Sequence, residues 1–232
     1  MKLSEETLDV LKNFSGINLN LLVKPGNKVS TISPAKNVVG MVDVEENFST
    51  GFGIYDLHKF LGTISLFNNP TFDFEEKYVV VSEDGSSPRV KYWFSDPNHL
   101  TAMNKKITMP DAAVEFVLTG EMLADAIKAS QVLQLPDLAV VSEEGASAVS
   151  LKVFDSKSKT SNDYVVETGA ETDANIVCTF LFKTENLKMI SGSYDVAIAE
   201  SAISQFTHKS KDVSYFLALE NDSEYSAAGG EA

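Results

Sequence analysis

The chain has 232 residues, of which 44% are hydrophobic, and it carries a formal net charge of −14 at pH 7. Its length allows one large domain or two of about 115 residues each. No apolar run approaches the ~18 residues of a membrane span, and the first residues lack the apolar segment of a signal peptide, so we expect no membrane partner. The acidic total argues against a nucleic-acid partner, but it does not say where the 19 basic residues lie.

The first half of the chain predicts two short amphipathic helices. The first begins after the capping hydroxyl of Ser4 and ends at Phe14, with apolar residues at helical spacing. The second covers Asp56–Phe67 and ends before the turn at Pro70. Alternating apolar residues bounded by turns predict strands around these helices. They are Asn20–Val23, Lys28–Ile32, Val38–Val44, Thr71–Glu75, Tyr78–Ser82 and Arg89–Phe94.

The second half is centred on a predicted helix over Thr119–Leu135. Thr119 caps its first turn, and Lys128 lies on its polar face. Its apolar stripe consists of Leu123, Ala126, Ile127 and Leu133. A shorter helix is predicted over Thr184–Ile190, and the Ser/Ala/Gly/Glu-rich end predicts a flexible tail at 221–232. The predicted strands are Ala112–Leu118, Leu138–Ser142, Ala148–Phe154, Tyr164–Glu167, Asn175–Lys183, Tyr194–Ala199, Ile203–His208 and Val213–Leu219.

The order of these elements indicates a duplicated chain. Phe52–Phe94 is predicted as a strand, a helix and three strands, and Thr179–Leu219 follows the same order. Helices on one face of antiparallel sheets define an α+β fold. We therefore predict an N-terminal domain at 1–98, a linker at 99–110, a similar C-terminal domain at 111–220 and the tail.

A search for catalytic motifs finds none that stands out. The phosphate-binding loop G-x-x-x-x-G-K-[ST] is absent, and no G-x-G-x-x-G follows a strand. His58, His99 and His208 are widely separated and are predicted to be surface or turn residues, while Cys178 lies in an apolar run as a buried thiol. The sequence therefore predicts no cofactor, no metal and no enzyme. A hydrolase that uses a carboxylate pair stays open, because paired acids are frequent.

Several short segments resemble the sliding clamps of T-even-type bacteriophages, in the same order and at nearly the same total length. They are Met1-Lys-Leu-Ser4, Leu11-Lys-Asn-Phe14, Ile54-Tyr-Asp-Leu57, Phe60-Leu-Gly62, Ser65-Leu66, Leu133-Gln134, Asn186-Leu-Lys-Met189, Gly192-Ser-Tyr194 and Ala218-Leu-Glu220. The resemblance implies a homotrimeric ring of two-domain subunits around double-stranded DNA, with helices lining the hole. It also implies a processivity factor that tethers the phage DNA polymerase, is opened by an ATP-driven clamp loader, supports late transcription and works in the infected host's cytoplasm.

The resemblance assigns roles to two groups of residues. Lysines on the four predicted helices would face DNA, and these are Lys12, Lys59, Lys128 and Lys188. The C-terminal peptide of the polymerase would enter a pocket between the two domains, for which the candidates are Leu100, Met103, Ile107, Met109, Phe216 and Leu219. Glu121 and Asp125 near Lys128 weaken the expected positive lining.

Ring closure requires an edge strand of each subunit to pair with the next subunit. We expect these edges to be Val90–Phe94 in the first domain or Tyr164–Glu167 in the second. One alternative function is a non-enzymatic structural or assembly protein of the phage, which would also be acidic, built of two domains and free of catalytic residues.

Overall fold

The computed structural model describes residues 1–103, 107–146, 148–171 and 175–227. The chain forms two compact units, Met1–Lys106 (unit 1) and Ile107–Ala232 (unit 2), and the boundary falls inside the predicted linker 99–110. No helix in the described ranges is both long and apolar enough to cross a membrane.

Unit 1 combines two α-helices with seven antiparallel strands. The helices are α1 (Glu5–Ile17) and α2 (Leu57–Ile64). The strands are β1 (Leu21–Val23), β2 (Gly26–Ile32), β3 (Val38–Phe48), β4 (Phe52–Ile54), β5 (Pro70–Phe74), β6 (Tyr78–Glu83) and β7 (Arg89–Trp93). Strand β1 pairs with β4, β2 pairs with β3, and the last three strands form a sheet in the order β5-β6-β7.

Helix α1 begins where the sequence predicts, because both Ser4 and Glu46 accept hydrogen bonds at its first turn. Ser4 Oγ accepts a hydrogen bond from Thr7 N at 3.1 Å, as an N-cap residue should. The buried carboxylate of Glu46 on β3 accepts from Ser4 N and, at 2.5 Å, from Thr7 Oγ1. The opposite end of the helix is fixed by Phe14, which is fully buried. A Cβ at Gly40 would lie 2.6 Å from the ring of Phe14, so only glycine lets the helix approach β3 this closely.

Helix α2 is shorter than predicted but buries the expected face. Asp56 Oδ1 accepts from Lys59 N at 3.0 Å and caps the first turn. Leu57, Phe60 and Ile64 are buried, while Phe67 lies beyond the helix end. Elsewhere in unit 1, Phe48, Phe52, Phe74 and Phe94 form an aromatic cluster with ring centroids 4.9–6.4 Å apart.

Unit 2 has one α-helix and nine strands in its described residues. The helix is α3 (Gly120–Leu133). The strands are β8 (Val114–Leu118), β9 (Asp137–Ser142), β10 (Ala148–Phe154), β11 (Tyr164–Glu171), β12 (Ile176–Lys183), β13 (Tyr194–Ile198), β14 (Ile203–His208), β15 (Val213–Ala218) and β16 (Glu224–Ala227). One sheet has the order β11-β10-β9-β12-β16, and the other strands pair in the order β8-β13-β14-β15.

Helix α3 has a narrower buried stripe than the sequence predicts. Thr119 caps it by accepting from Met122 N at 3.2 Å, and Leu123 and Ala126 are buried. Leu133, by contrast, is 39% exposed. It lies seven residues after Ala126, on the same face, but it is the last residue of the helix. The helix then ends at Gln134, whose left-handed backbone has φ 55°.

The predicted fourth helix, Thr184–Ile190, is wrong. Only Thr184–Asn186 form a turn of 3₁₀ helix, and 187–193 are not helical. The backbone of Ile190 explains this, because its N–H donates to Tyr215 Oη at 3.3 Å and its carbonyl accepts from Tyr194 Oη. The N–H is therefore unavailable for the hydrogen bond that it would make in a helix, and the carbonyl is fixed by a side chain. The strand order of the predicted duplication is nevertheless present, since β5-β6-β7 and β13-β14-β15 are both three-stranded meanders.

Part of the predicted flexible tail is a strand. Strand β16 pairs with β12, and the ring of Tyr225 stacks on Phe180 with centroids 5.9 Å apart. Ser223 Oγ also accepts from Leu181 N at 2.9 Å. The polar composition of this segment predicts no strand, although Tyr225 packs it against β12. Residues 228–232 lie outside the described residues.

Candidate nucleic-acid interface

Three of the four predicted DNA-facing lysines lie on exposed helical faces. Lys12 is on α1, Lys59 on α2 and Lys128 on α3, in each case away from the buried stripe. The side chains of Lys12 and Lys59 are 66% and 80% exposed. Amphipathic packing thus places each ammonium group in solvent.

Two of these lysines pair with an acid three residues earlier in the chain. Lys12 Nζ lies 3.1 Å from Asp9 Oδ1, and Lys59 Nζ lies 3.4 Å from Asp56 Oδ2. The pKa of Asp56 is lowered, chiefly because its carboxylate accepts the backbone hydrogen bond from Lys59. Exposed pairs of this kind are weak and are screened by salt, so the lysines can exchange these partners for phosphate.

The exposed helical faces are not positively charged overall. On α1, Glu5, Glu6 and Asp9 accompany Lys12, and on α3, Glu121 and Asp125 accompany Lys128. Within its own bounds, α2 exposes Lys59 and His58 with no acid. The carboxylates hold phosphates off by repulsion, and the few lysines offset this only partly. On these three helices together, the named acids outnumber the lysines.

Lys188 is exposed, but it lies on the non-helical segment 187–193 instead of a helix. The hydroxyl groups of Tyr194 and Tyr215 form hydrogen bonds with the backbone of this segment. Burial raises the pKa of both tyrosines. The segment adjoins the start of α3, because Gly120 N donates to Ser193 Oγ at 3.0 Å. The structure therefore places Lys188 on an ordered segment next to α3.

The first two predicted pocket residues belong to unit 1. Leu100 is half-buried, and its side chain lies against the backbone of Gly53. Between Leu100 and Met103, two asparagines hold the chain: Asn18 Nδ2 donates to Thr101 O, and Asn20 Oδ1 accepts from Thr101 N, both at 3.0 Å. The sequence did not reveal this pair, which fixes the beginning of the linker.

The other four predicted pocket residues belong to unit 2. Ile107 and Met109 are half-buried, whereas Phe216 and Leu219 are buried at the end of β15. Leu219 N donates to Ala202 O at 3.0 Å, in the turn between β13 and β14. Beside this turn is an open cavity of about 470 Å³, which no sequence signal indicated. Its lining consists of Pro110, Asp111, Ala199, Glu200 and Ser201.

The two strands expected at the subunit joint are both edge strands of their sheets. In the described parts of each unit, β7 pairs only with β6, and β11 pairs only with β10. Each strand thus has one side of its backbone available to another chain. Pairing with a second subunit stays a prediction.

The cysteine and two of the three histidines lie where the sequence predicts. The described ranges contain no group of three or more His, Cys, Asp or Glu residues placed to hold a metal. Cys178 is buried as predicted, and burial raises the pKa of its thiol. His58 and His99 are exposed. His208 differs from the prediction: it is buried, with Nδ1 accepting from Ser210 N at 3.1 Å.

Comparison with known proteins gives consistent matches along the chain. The family model described as "gp45 sliding clamp, C terminal" matches residues 115–221. The sliding clamp of Vibrio phage KVP40 is 34% identical over 223 residues, covering 95% of this chain and 99% of that clamp. The structure of A. fulgidus PCNA with the C-terminal region of FEN-1 has a TM-score of 0.70 at 14% identity and covers 96% of this chain and 98% of the PCNA chain.

A bacterial structure shows the same likeness over part of a longer chain. The H. pylori beta clamp bound to a DNA ligase peptide has a TM-score of 0.70 at 13% identity. The match covers 95% of this chain but 65% of that clamp, so this chain spans about two thirds of its length.

Proposed function

Because this chain belongs to the phage sliding-clamp family and has the α+β fold of DNA clamps, we propose that three copies close into a ring around duplex DNA. The ring tethers the phage's replicative DNA polymerase in the cytoplasm of the infected cell. The observation that carries this proposal is the end-to-end similarity to the KVP40 sliding clamp, at 34% identity over 95% of the chain.

The weak charge of the helical faces supports a topological attachment. Each phosphate that a protein neutralises adds about −0.9 to the slope of log affinity against log salt. Many tight contacts would hold the protein in place, whereas a ring that must slide needs few. Lys12, Lys59 and Lys128, each on a helix that also presents or is capped by acids, suit a surface that follows DNA without gripping it.

Partner docking is the second part of the proposal. Leu100 and Met103 in unit 1, with Ile107, Met109, Phe216 and Leu219 in unit 2, receive the hydrophobic C-terminal peptide of the polymerase. Methionine suits such a role, because its flexible side chain adapts to ligands of different shape. The clamp loader and late-transcription factors are further partners of the ring.

The mass of the assembly and the processivity of the polymerase test this proposal together. Sedimentation at micromolar concentration should show three times the 25.2 kDa chain mass. With clamp loader and ATP, the protein should extend the products of the phage polymerase on long templates and show no turnover of its own. A species that stays at the mass of one chain at every concentration would refute the ring.

Charge reversal tests the DNA-facing assignment separately. Changing Lys12, Lys59 and Lys128 together to Glu should leave the trimer intact but reduce loading and processivity. A matched control changes Lys77, Lys157 and Lys159 to Glu, since these exposed lysines lie off the helices and give the same change in charge. Equal effects of the two triple variants would contradict the assignment.

A further inference from the structure

The exposed face of β7 is cationic and aromatic. Arg89, Lys91 and Trp93 alternate with inward residues, and Trp93 is 61% exposed. Lys91 Nζ lies 4.1 Å from the ring centroid of Tyr78 and 5.4 Å from that of Trp93. Its ammonium forms no ion pair in the described ranges. The inward face of β7 packs on α2, where Tyr92 and Phe60 have ring centroids 5.1 Å apart.

The exposed face of β11 is acidic and aliphatic. Val165 is 52% exposed, and Glu167 is exposed two residues later. On the neighbouring strand β10, Lys152 lies opposite Val165 but pairs with Asp163 at 2.9 Å, and Ser150 lies opposite Glu167. Glu167 thus forms no ion pair with any described residue of the chain.

The straight part of β11 is short. The pairing of β10 with β11 shifts beyond Glu167, and Gly169 there has φ 72°. A bulge of this kind bends the strand, so regular pairing with another chain is limited to Tyr164–Glu167. Val165 and Glu167 are then the only two outward positions that a partner strand can face in register.

We propose that β7 of one copy pairs antiparallel with β11 of a second copy in one register, with Lys91 opposite Glu167 and Trp93 opposite Val165. The inference rests on the proposed ring and specifies how its subunits join. Both strands turn their other face towards a helix of their own unit, α2 for β7 and α3 for β11, so the joined sheets keep all their helices on one side.

In the two neighbouring registers, fewer side chains lie opposite a partner of opposite charge or matching polarity. A shift of two residues in one direction sets Arg89 opposite Glu167, but it places Lys91 opposite Val165 and Trp93 opposite the already paired Asp163. A shift in the other direction sets Trp93 opposite Glu167 and Lys91 opposite Gly169. Only the proposed register joins cation to carboxylate and apolar side chain to apolar side chain at once, which is the arrangement that stabilises cross-strand pairs.

This joint is head-to-tail, so each subunit uses β7 once and β11 once, and a closed ring of three copies leaves neither strand exposed. Its outer face is held by an ion pair and by Trp93 against Val165, both at the solvent boundary. Salt screens the ion pair, which gives a ring that weakens as ionic strength rises. A joint of this kind suits a ring that must be opened for loading.

Charge exchange tests the register. Lys91→Glu and Glu167→Lys should each weaken the trimer roughly fivefold per joint, or about a hundredfold over three joints, and the double variant should recover most of this loss. Arg89→Glu is the matched control, because Arg89 lies beyond the last regular pair, Lys91 with Glu167, in the proposed register. Its effect should be smaller and should not be reversed by Glu167→Lys. Sedimentation equilibrium at several concentrations measures each trimer, and thermal melts verify that every variant folds.

A disulfide between copies tests the same geometry directly. Trp93→Cys combined with Val165→Cys should link subunits on oxidation, whereas Lys91→Cys with Val165→Cys should not, and Cys178 is too buried to interfere. If the wild-type chain is a trimer but the charge exchange fails to rescue, or only the shifted cysteine pair links, the register is wrong and the clamp proposal stands. If the wild-type chain never trimerises, the proposed ring fails and the joint with it.

Discussion

Asp137 offers a measurable link between a buried charge and the stability of unit 2. It begins β9, its side chain is 2% exposed, and Lys183 on the neighbouring β12 donates to it. Ser156 donates twice, from N at 2.9 Å and from Oγ at 2.7 Å. Burial alone would raise the pKa of Asp137, but the hydrogen bonds from Lys183 and Ser156 outweigh it and hold the pKa below its usual value.

Asp137→Asn should therefore destabilise the protein at neutral pH. Loss of a buried pair costs about 3–5 kcal/mol when both partners are enclosed. The side chain of Lys183 is 28% exposed, so solvent can compensate it in part. We expect about 2 kcal/mol, the range of hydrogen bonds to charged groups, which lowers the melting temperature by about 4–8 °C. The matched control is Asp163→Asn, since Asp163 pairs with Lys152 at 2.9 Å with half its side chain exposed, and it should cost under about 1 kcal/mol.

The effect of Asp137→Asn should depend on pH in a defined direction. The folded pKa lies below the unfolded one, so the charged carboxylate contributes its full stability above about pH 4 and loses it as pH falls through the folded pKa. Urea unfolding of the wild type and the variant at several pH values should show their difference shrinking in acid. A difference that stays constant from pH 7 to below pH 4, or that equals that of Asp163→Asn, would refute this account.

Three other variants test features that position the candidate site. Glu46→Ala removes the acceptor of Ser4 N and should cost about 2 kcal/mol in urea unfolding, whereas exposed Glu45→Ala should cost little. Gly192→Ala sets a Cβ 2.2 Å from His208 Nε2 at φ 149° and should cost over about 2 kcal/mol, against about 1 for Gly85→Ala, whose Cβ meets nothing within 4 Å. Met109→Glu should weaken binding of a fluorescent peptide copied from the C-terminus of the phage polymerase at least about tenfold, since docking would bury the new carboxylate. Thr108→Glu, at an exposed position, should not weaken it. For each of the three variants, an effect equal to that of its control would contradict the reasoning.

Local signals in the sequence located most elements, because each depends on neighbouring residues. Ser4 and Thr119 cap α1 and α3 as predicted, since an N-cap hydroxyl needs only the next turn. Lys12 and Lys59 are exposed as the helical period requires. Helical period was enough to place the candidate DNA-facing side chains of all three helices.

Predictions failed where a side chain outside the segment binds its backbone or packs on it. Thr184–Ile190 has a capping hydroxyl and apolar spacing, but Tyr194 and Tyr215 bind both polar groups of Ile190 and prevent a helix. The strand in the predicted tail likewise depends on the stacking of Tyr225 on Phe180, which are far apart in sequence. The asparagines that hold Thr101 act over 81 residues or more, and no periodicity reports such a contact.

The charges of the helical faces decide how such a protein can hold DNA at all. If the three exposed helical lysines of three copies all contacted phosphate, the slope of log affinity against log salt would be about −8, and moderate salt would release the ring. Asp9 and Asp56 already pair with two of the three lysines, and Glu121 and Asp125 lie near the third, so the contacts are fewer and weaker. Attraction of that size would not hold a protein on DNA during processive synthesis. In the proposed ring, retention comes from closure, and the strength of the proposed joint between β7 and β11, more than the affinity of any lysine, sets how long the clamp stays on.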